Sequence, residues 1–180
     1  MSASSAKVRT ITRIAMFAAV LAVCSQIAIP LPSGVPVTLQ TFAVGLVGYA
    51  LGAKRGPLAV LVWCAVGLVG APVFSNFMGG PAVLFGKTGG FIYGFLPMAL
   101  LCGLAAEKEL PGRIFLSAAG LLLCHLCGVL QFSLLTGMDL LKSALLVSLP
   151  YLVKDLISMA LAERFAAALR RIPAFAHTKC

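Results

Sequence analysis

Six long apolar stretches dominate this chain, and they limit the fold more than any motif does. The stretches are residues 12–29, 38–53, 57–73, 89–106, 113–135 and 150–169. Each is bounded by glycine, proline or charge, the usual punctuators of secondary structure. None shows the alternation of a half-buried strand, and no internal repeat is visible. Of the 180 residues, 61% are apolar and 11% charged, against roughly 45–50% and about 25% in a soluble domain. So few charges cannot cover a water-facing surface. A soluble globular domain, a disordered tail and a nucleic-acid-binding module are therefore excluded. The remaining solvent is lipid, where a helix needs ~20 apolar residues to cross the hydrocarbon core. Six crossings use ~120 residues and leave ~60 for loops and ends, whereas seven or eight leave almost no loops. The sequence predicts an all-α integral membrane protein with six transmembrane helices, forming one domain over 1–180. The second and third runs are short and their ends ill-defined. Residues 138–147 fit an additional short interfacial helix.

The cations are placed to match. The net charge of +9 comes from 14 Lys and Arg against 5 Asp and Glu. Lys7, Arg9 and Arg13 precede the first run, Lys54 and Arg55 separate the second from the third, and Lys108 and Arg113 separate the fourth from the fifth. Arg164, Arg170, Arg171 and Lys179 lie at or beyond the end of the sixth. With six spans these eleven fall on one side, and only Lys87, Lys142 and Lys154 fall on or near the other. The positive-inside rule puts the richer side, with both termini, in the cytoplasm. Topology thus accounts for the positive excess without nucleic acid. Lys7, Arg9 and Arg13 before an apolar run resemble a signal peptide, and 21–24 hint at a lipoprotein site. Val23, however, is not the small residue expected before a processed cysteine, the run is long, and more runs follow. A retained first membrane helix is expected. Cys24, Cys64, Cys102, Cys124, Cys127 and Cys180 lie mostly within apolar runs with no disulfide-framework spacing, and are read as small hydrophobes.

The opposite side is chemically different. Residues 30–37, 72–88 and 136–149 are rich in Gly, Pro, Ser and Asn. The segment 72–88 is long for a connection between two helices, and long ordered loops tend to be functional. Irregular backbone near membrane depth must line a cavity or be buried in protein. A ligand site opening outward beneath these loops is expected.

Lys154 and Asp155 sit inside the sixth run, where charge is expensive and usually functional. On a helix Asp155 shares a face with Tyr151 and Ser158, while Lys154 points ~100° away with Ser158 in reach. The favoured reading is that Asp155 accepts hydrogen bonds from a polar ligand. The plainer one is that Lys154 snorkels outward and Asp155 pairs locally. Asn76 carries an amide that both donates and accepts, which suits a neutral polar head as well as an ordinary loop. Gly86-Lys87-Thr88 resembles the end of a phosphate-binding loop, but that motif requires glycine at position 81, where proline stands. The glycines there instead permit close backbone approach to a ligand. Lys87 is either a cation for an anionic ligand group or an external snorkelling lysine. Cys124-His125-Leu126-Cys127 is not the haem signature Cys-x-x-Cys-His and offers too few ligands for a metal. His125 is read as a buried, hydrogen-bonded helix residue. Ala15, Ala18, Ala19 and Ala22 make small-xxx-small pairs on the first helix, suited to internal packing or to a partner membrane protein. Gly48 and Gly52 make a similar, internal pair. With two histidines in the chain, one of them His177 near the end, and no acid–base partner for Asp155 in sequence, no catalytic set is visible.

Four segments together carry a resemblance: Pro36-Val-Thr-Leu-Gln-Thr-Phe42, Gly70-Ala-Pro-Val-Phe74, Gly86-Lys-Thr-Gly-Gly-Phe91 and Pro150-Tyr-Leu-Val-Lys-Asp155. In this order they resemble the BioY family, the biotin-specific S components of energy-coupling factor (ECF) transporters, over nearly the whole chain. The resemblance implies six membrane helices, cytoplasmic termini, and biotin captured from outside for uptake across the bacterial plasma membrane. It implies no enzyme and no cofactor on this chain. ATP is used by two ABC-type ATPases, coupled through a transmembrane T component that docks on an alanine-rich face of the first helix. Ala15 and Ala19 match that face best, and Ala18 and Ala22 less closely. ATP hydrolysis in the partner would topple the loaded S component in the bilayer. The family pattern has Gly before the sixth-helix Asp and Lys three residues after it, where this chain has Lys154 and Ser158. Biotin's ureido ring has two N–H donors and a carbonyl, which suit Asp155 on one side and Asn76 or Thr88 on the other. Its carboxylate suits Lys87 or Lys154, and its apolar ring suits walls such as Phe74, Phe91, Tyr93 and Tyr151. Gln40, in the first segment, and Ser158, on the Asp155 face, complete the candidate set. The alternative reading is an S component for another vitamin, such as thiamine or riboflavin.

Overall fold

The structure, a computed structural model, describes residues 3–172. Lys179, His177 and Cys180 lie outside the described residues. The chain runs α1 (Ala3–Gln26), β1 (Ala28–Ile29), β2 (Val37–Thr38), α2 (Gln40–Leu68), α3 (Pro81–Leu84), α4 (Gly89–Ala105), α5 (Leu110–Thr136), α6 (Leu140–Val147) and α7 (Leu149–Arg170). A single turn of 3-10 helix, Ser75–Phe77, precedes α3.

Among the described residues, Ser4–Gln26, Gln40–Leu68 and Leu110–Thr136 have the length and apolar composition to cross a bilayer, Gln40–Leu68 only if counted as one straight helix. The pair α6–α7, bent by 49°, is a fourth if taken as one span. Leucines and phenylalanines stand outward along these helices, among them Phe115, Leu122, Leu134 and Phe165. An apolar outer surface of this kind is at home in lipid.

The second and third apolar runs form two helices that meet without an intervening loop. Together they make up α2, broken at Gly52, whose φ of 80° and ψ of 176° are closed to residues with a side chain. A Cβ on Gly56 would lie 3.1 Å from the Gly48 Cα, whereas eight residues of straight helix separate two positions by ~12 Å. The chain therefore folds back on itself at Gly52. Pro57 sits in the first turn of the returning half, where its missing N–H is harmless. The short helix expected at 138–147 is α6, capped by Asp139, whose Oδ2 accepts from Leu141 N at 3.0 Å. The strands correct the expectation of no β-structure. Ala28 pairs with Thr38 and Ile29 with Val37, antiparallel. Two residues per strand are too few for alternation to show in a sequence.

Helix α4 lies between α2 and α5 and touches both through glycine. A Cβ on Gly48 would meet Ala99 O at 2.6 Å, and one on Gly103 would meet Ala53 N at 2.3 Å. On the other side, a Cβ on Gly94 would meet Cys124 Cα at 2.6 Å, and one on Gly90 would meet Cys127 O at 2.3 Å. These neighbours are backbone atoms, which cannot rotate away. Membrane helices approach this closely only through small residues. Gly94→Val is expected to lower stability by ~1–3 kcal/mol through overpacking. Thermal unfolding in detergent measures it, and an unchanged midpoint would show that α4 and α5 are less tightly joined than described. Elsewhere the core is closed by Trp63, whose indole N–H donates to Val73 O at 3.0 Å and whose ring meets Phe74 edge-on at 5.0 Å. Phe74 fills the space left by Gly67, where a Cβ would come within 2.2 Å of its ring.

Candidate functional site

One end of the helix bundle holds a cavity between the β1–β2 loop, the start of α4, the middle of α5 and the first turns of α7. Its apolar wall comes from Val35, Phe91, Ile92, Phe95 and Leu121. Its polar lining comes from Thr38, Gln40, Thr41, Ser75 and Thr88, and from His125, Tyr151, Lys154 and Asp155.

Asp155, 4% exposed, anchors the polar side. Its Oδ2 lies 3.1 Å from His125 Nε2, and the other ring nitrogen of His125 lies 2.9 Å from Ser148 Oγ. A carboxylate can only accept, so Nε2 carries the proton, and Nδ1 shares a hydrogen bond with the Ser148 hydroxyl. The Lys154 ammonium pairs with Asp155 Oδ1 and donates to Thr38 O at 2.9 Å. Adjacent helix residues point apart, and only the length of the lysine chain lets it curl back to its neighbour. The ion pair neutralises Oδ1, and the Thr41 hydroxyl also lies within hydrogen-bonding reach of the carboxylate. A buried, charge-balanced carboxylate therefore lines a mainly apolar cavity. That combination recognises a ligand with N–H donors.

Tyr151, one turn before Asp155, donates its hydroxyl to Val35 O at 2.6 Å and so fastens the β1–β2 loop to α7. Gln40 lines the cavity while its amide is engaged on both sides. Its Nε2 donates to Ser25 Oγ at 3.2 Å, and its Oε1 accepts from Thr38 Oγ1 at 3.0 Å. The amide ties the hairpin to α1. Gln131 Nε2 donates to Leu84 O at 2.8 Å and Gly86 O at 2.7 Å, holding the turn that carries Thr88. The glycines of this turn approach protein backbone: a Cβ on Gly89 would fall 1.7 Å from Leu84 O.

The cavity lining thus brings together Gln40, Thr88, Phe91, Tyr151, Lys154 and Asp155. The other candidate residues stand outside it. Asn76 is exposed, with a left-handed φ of 57°, and its neighbour Ser75 is the one that lines the cavity. Lys87 is exposed and lies over Gly34 of the β1–β2 loop, with its Nζ 4.0 Å from where a Cβ would stand. Phe74 is buried against Trp63, Tyr93 is 42% exposed on α4, and Ser158 is buried one turn beyond Asp155. On α1, Ala15 and Ala19 are exposed, Ala18 is buried, and Ala22 is half-buried against the core. Among the described residues no group of three His, Cys, Asp or Glu is placed to hold a metal.

Sequence reasoning placed His125 in the interior but outside the site. A signal for its role was present. Two ionisable groups at membrane depth on different helices tend to pair, and His125 and Asp155 are such a pair. Thr38, Thr41 and Ser75 carried no comparable signal.

The comparisons agree with one another. The BioY family model matches residues 1–174. The biotin transporter BioY of Thermotoga maritima is 37% identical over 166 residues, covering 91% of this chain and 97% of that one. The biotin transporter BioY2 of Lactococcus lactis subsp. cremoris is 39% identical over 176 residues, covering 96% and 94%. A crystal structure of the S-component for biotin from an ECF-type ABC transporter superposes with a TM-score of 0.83 at 26% identity, over 97% of both chains. Sequence and fold match over nearly the whole chain, and the chain belongs to the BioY family.

Proposed function

We propose that this protein captures biotin at the outer face of the bacterial plasma membrane and carries it inward as the substrate-specific S component of an ECF-type transporter. One observation carries the reading beyond family membership: Asp155, held by His125 and Lys154 at the side of a mainly apolar cavity. Biotin matches this arrangement in kind. Its ureido N–H groups donate to the Asp155 carboxylate, and its bicyclic ring lies against Phe91, Ile92 and Phe95. Its valerate carboxylate reaches toward a cation, either Lys154 in the wall or Lys87 over the loop that roofs the cavity. Thr88 serves the ureido carbonyl. Thiamine fits less well, because its fixed positive charge would face these lysines.

In this reading the chain is one membrane unit over 1–180 with six crossings: α1, the two halves of α2, α4, α5 and α7. The cation-rich ends lie in the cytoplasm, and the cavity opens outward. The exposed pair Ala15 and Ala19 gives α1 a smooth face for the T component. Ala18 and Ala22, turned toward α2, set the packing beneath it. Two ABC-type ATPases supply the energy, so this chain holds no nucleotide.

Calorimetric titration of the detergent-solubilised chain with biotin, biotin methyl ester and thiamine tests the proposal. Tight binding of biotin, weaker binding of the ester and none of thiamine is the expected result. A folded sample that ignores biotin would refute it.

A further inference from the structure

Helices α5 and α7 both rest on the bundle but barely touch each other. Among the described residues, polar side-chain contacts join them at two levels. One is His125 with Asp155 beside the ligand cavity, and the other is Arg113 with Glu163 at 2.6 Å near the opposite end. Between these clamps lies a cleft of about 510 Å³, within the ~300–1,000 Å³ range of small-molecule sites. Ile114 and Ala118 of α5 and Leu156, Ile157 and Ala160 of α7 face it.

The cleft is amphiphilic along its length. Arg113 and Arg164 line one end, with Glu163 as the carboxylate beside them. Arg113 Nη1 is held by Glu163 and its Nη2 by Lys108 O at 2.9 Å, while its buried Nε has no partner. Arg170 lies within electrostatic reach of Arg113 and Glu163, so this end carries excess positive charge. From Leu110 to Leu121 the wall of α5 runs ~16 Å, about half of the ~30 Å hydrocarbon core. That is the depth of one leaflet. Leu121, at the far end, also lines the ligand cavity.

We propose that this cleft binds an anionic phospholipid of the cytoplasmic leaflet, with an acyl chain between α5 and α7 and the headgroup phosphate on Arg113 and Arg164. Basic pockets between membrane helices on the cytoplasmic side favour such headgroups. The choice of leaflet rests on the topology given under the proposed function. The acyl chain would end against Leu121, the partition between lipid and ligand.

Native mass spectrometry of the full chain, incubated with equal amounts of phosphatidylglycerol and phosphatidylcholine, tests this. Phosphatidylglycerol is expected to be retained over phosphatidylcholine. Arg164→Gln, at an exposed position, should weaken that retention about fivefold, the effect of one arginine near anionic lipid. Ala160→Phe should reduce it without changing any charge, by filling the cleft. Equal retention of both lipids would overturn the proposal. So would phosphatidylglycerol retention unmoved by either variant, or displacement by glycerol phosphate alone. Biotin titration of the same samples separates the two readings. Lost lipid preference with intact biotin binding sinks only the lipid site, whereas retained lipid preference without biotin binding sinks only the transport reading.

Discussion

Asp155→Ala is expected to weaken biotin binding by ~1.5–3 kcal/mol, roughly 10- to 150-fold, the range for hydrogen bonds to a charged group. The carboxylate is buried, its charge is balanced by Lys154, and it lines the cavity. Alanine removes the acceptor and leaves two buried ureido donors without a partner. Asp155→Asn separates charge from shape. It keeps the size and one acceptor oxygen, but places an NH2 group where an acceptor stood, so it should also bind weakly. Calorimetric titration of variants with near-native unfolding midpoints measures both. Unchanged affinity in a folded Asp155→Ala protein would remove Asp155 from the site.

Lys154→Met is expected to act on the fold itself. Removing one partner of a buried pair strands the other charge, at about 3–5 kcal/mol. Two features moderate this here. Lys154 is 28% exposed at its side chain, so part of its attraction is screened, and His125 remains on Oδ2. A loss of ~2–3 kcal/mol follows. The variant also releases Thr38 O, which accepts from the ammonium, and so loosens the hairpin beside the cavity. Combining Lys154→Met with Asp155→Asn should recover most of the lost stability, because no unpaired charge is left. Thermal unfolding of the single and double variants measures the coupling. A double variant no more stable than Lys154→Met alone would show that the lysine stabilises through packing instead of charge.

The lipid environment was legible because it is a property of runs of residues: six long apolar stretches can satisfy their backbones only as helices in an apolar solvent. Asp155 was legible for the same reason, as charge where charge is expensive. The order of four short segments carried the family. The fold-back of α2 was only half legible. The charges at Lys54 and Arg55 mark an interruption, but the left-handed turn at Gly52 depends on Gly48 and Gly56 meeting across it.

The partners inside the site required the tertiary structure. His125 lies 30 residues before Asp155, and no local rule says which face of α5 turns toward α7. Helix rotation is set by the glycine contacts of Gly90 and Gly94 with the α5 backbone, a fit of surfaces that composition does not encode. The same contacts bring Phe91, on α4, edge-on to the His125 ring at 6.0 Å, while Tyr93, two residues on, stays exposed. Solvent preference and charge placement are local properties and can be read along a chain. Which groups meet is decided by close packing between helices far apart in sequence, where a shift of one methyl group changes what fits.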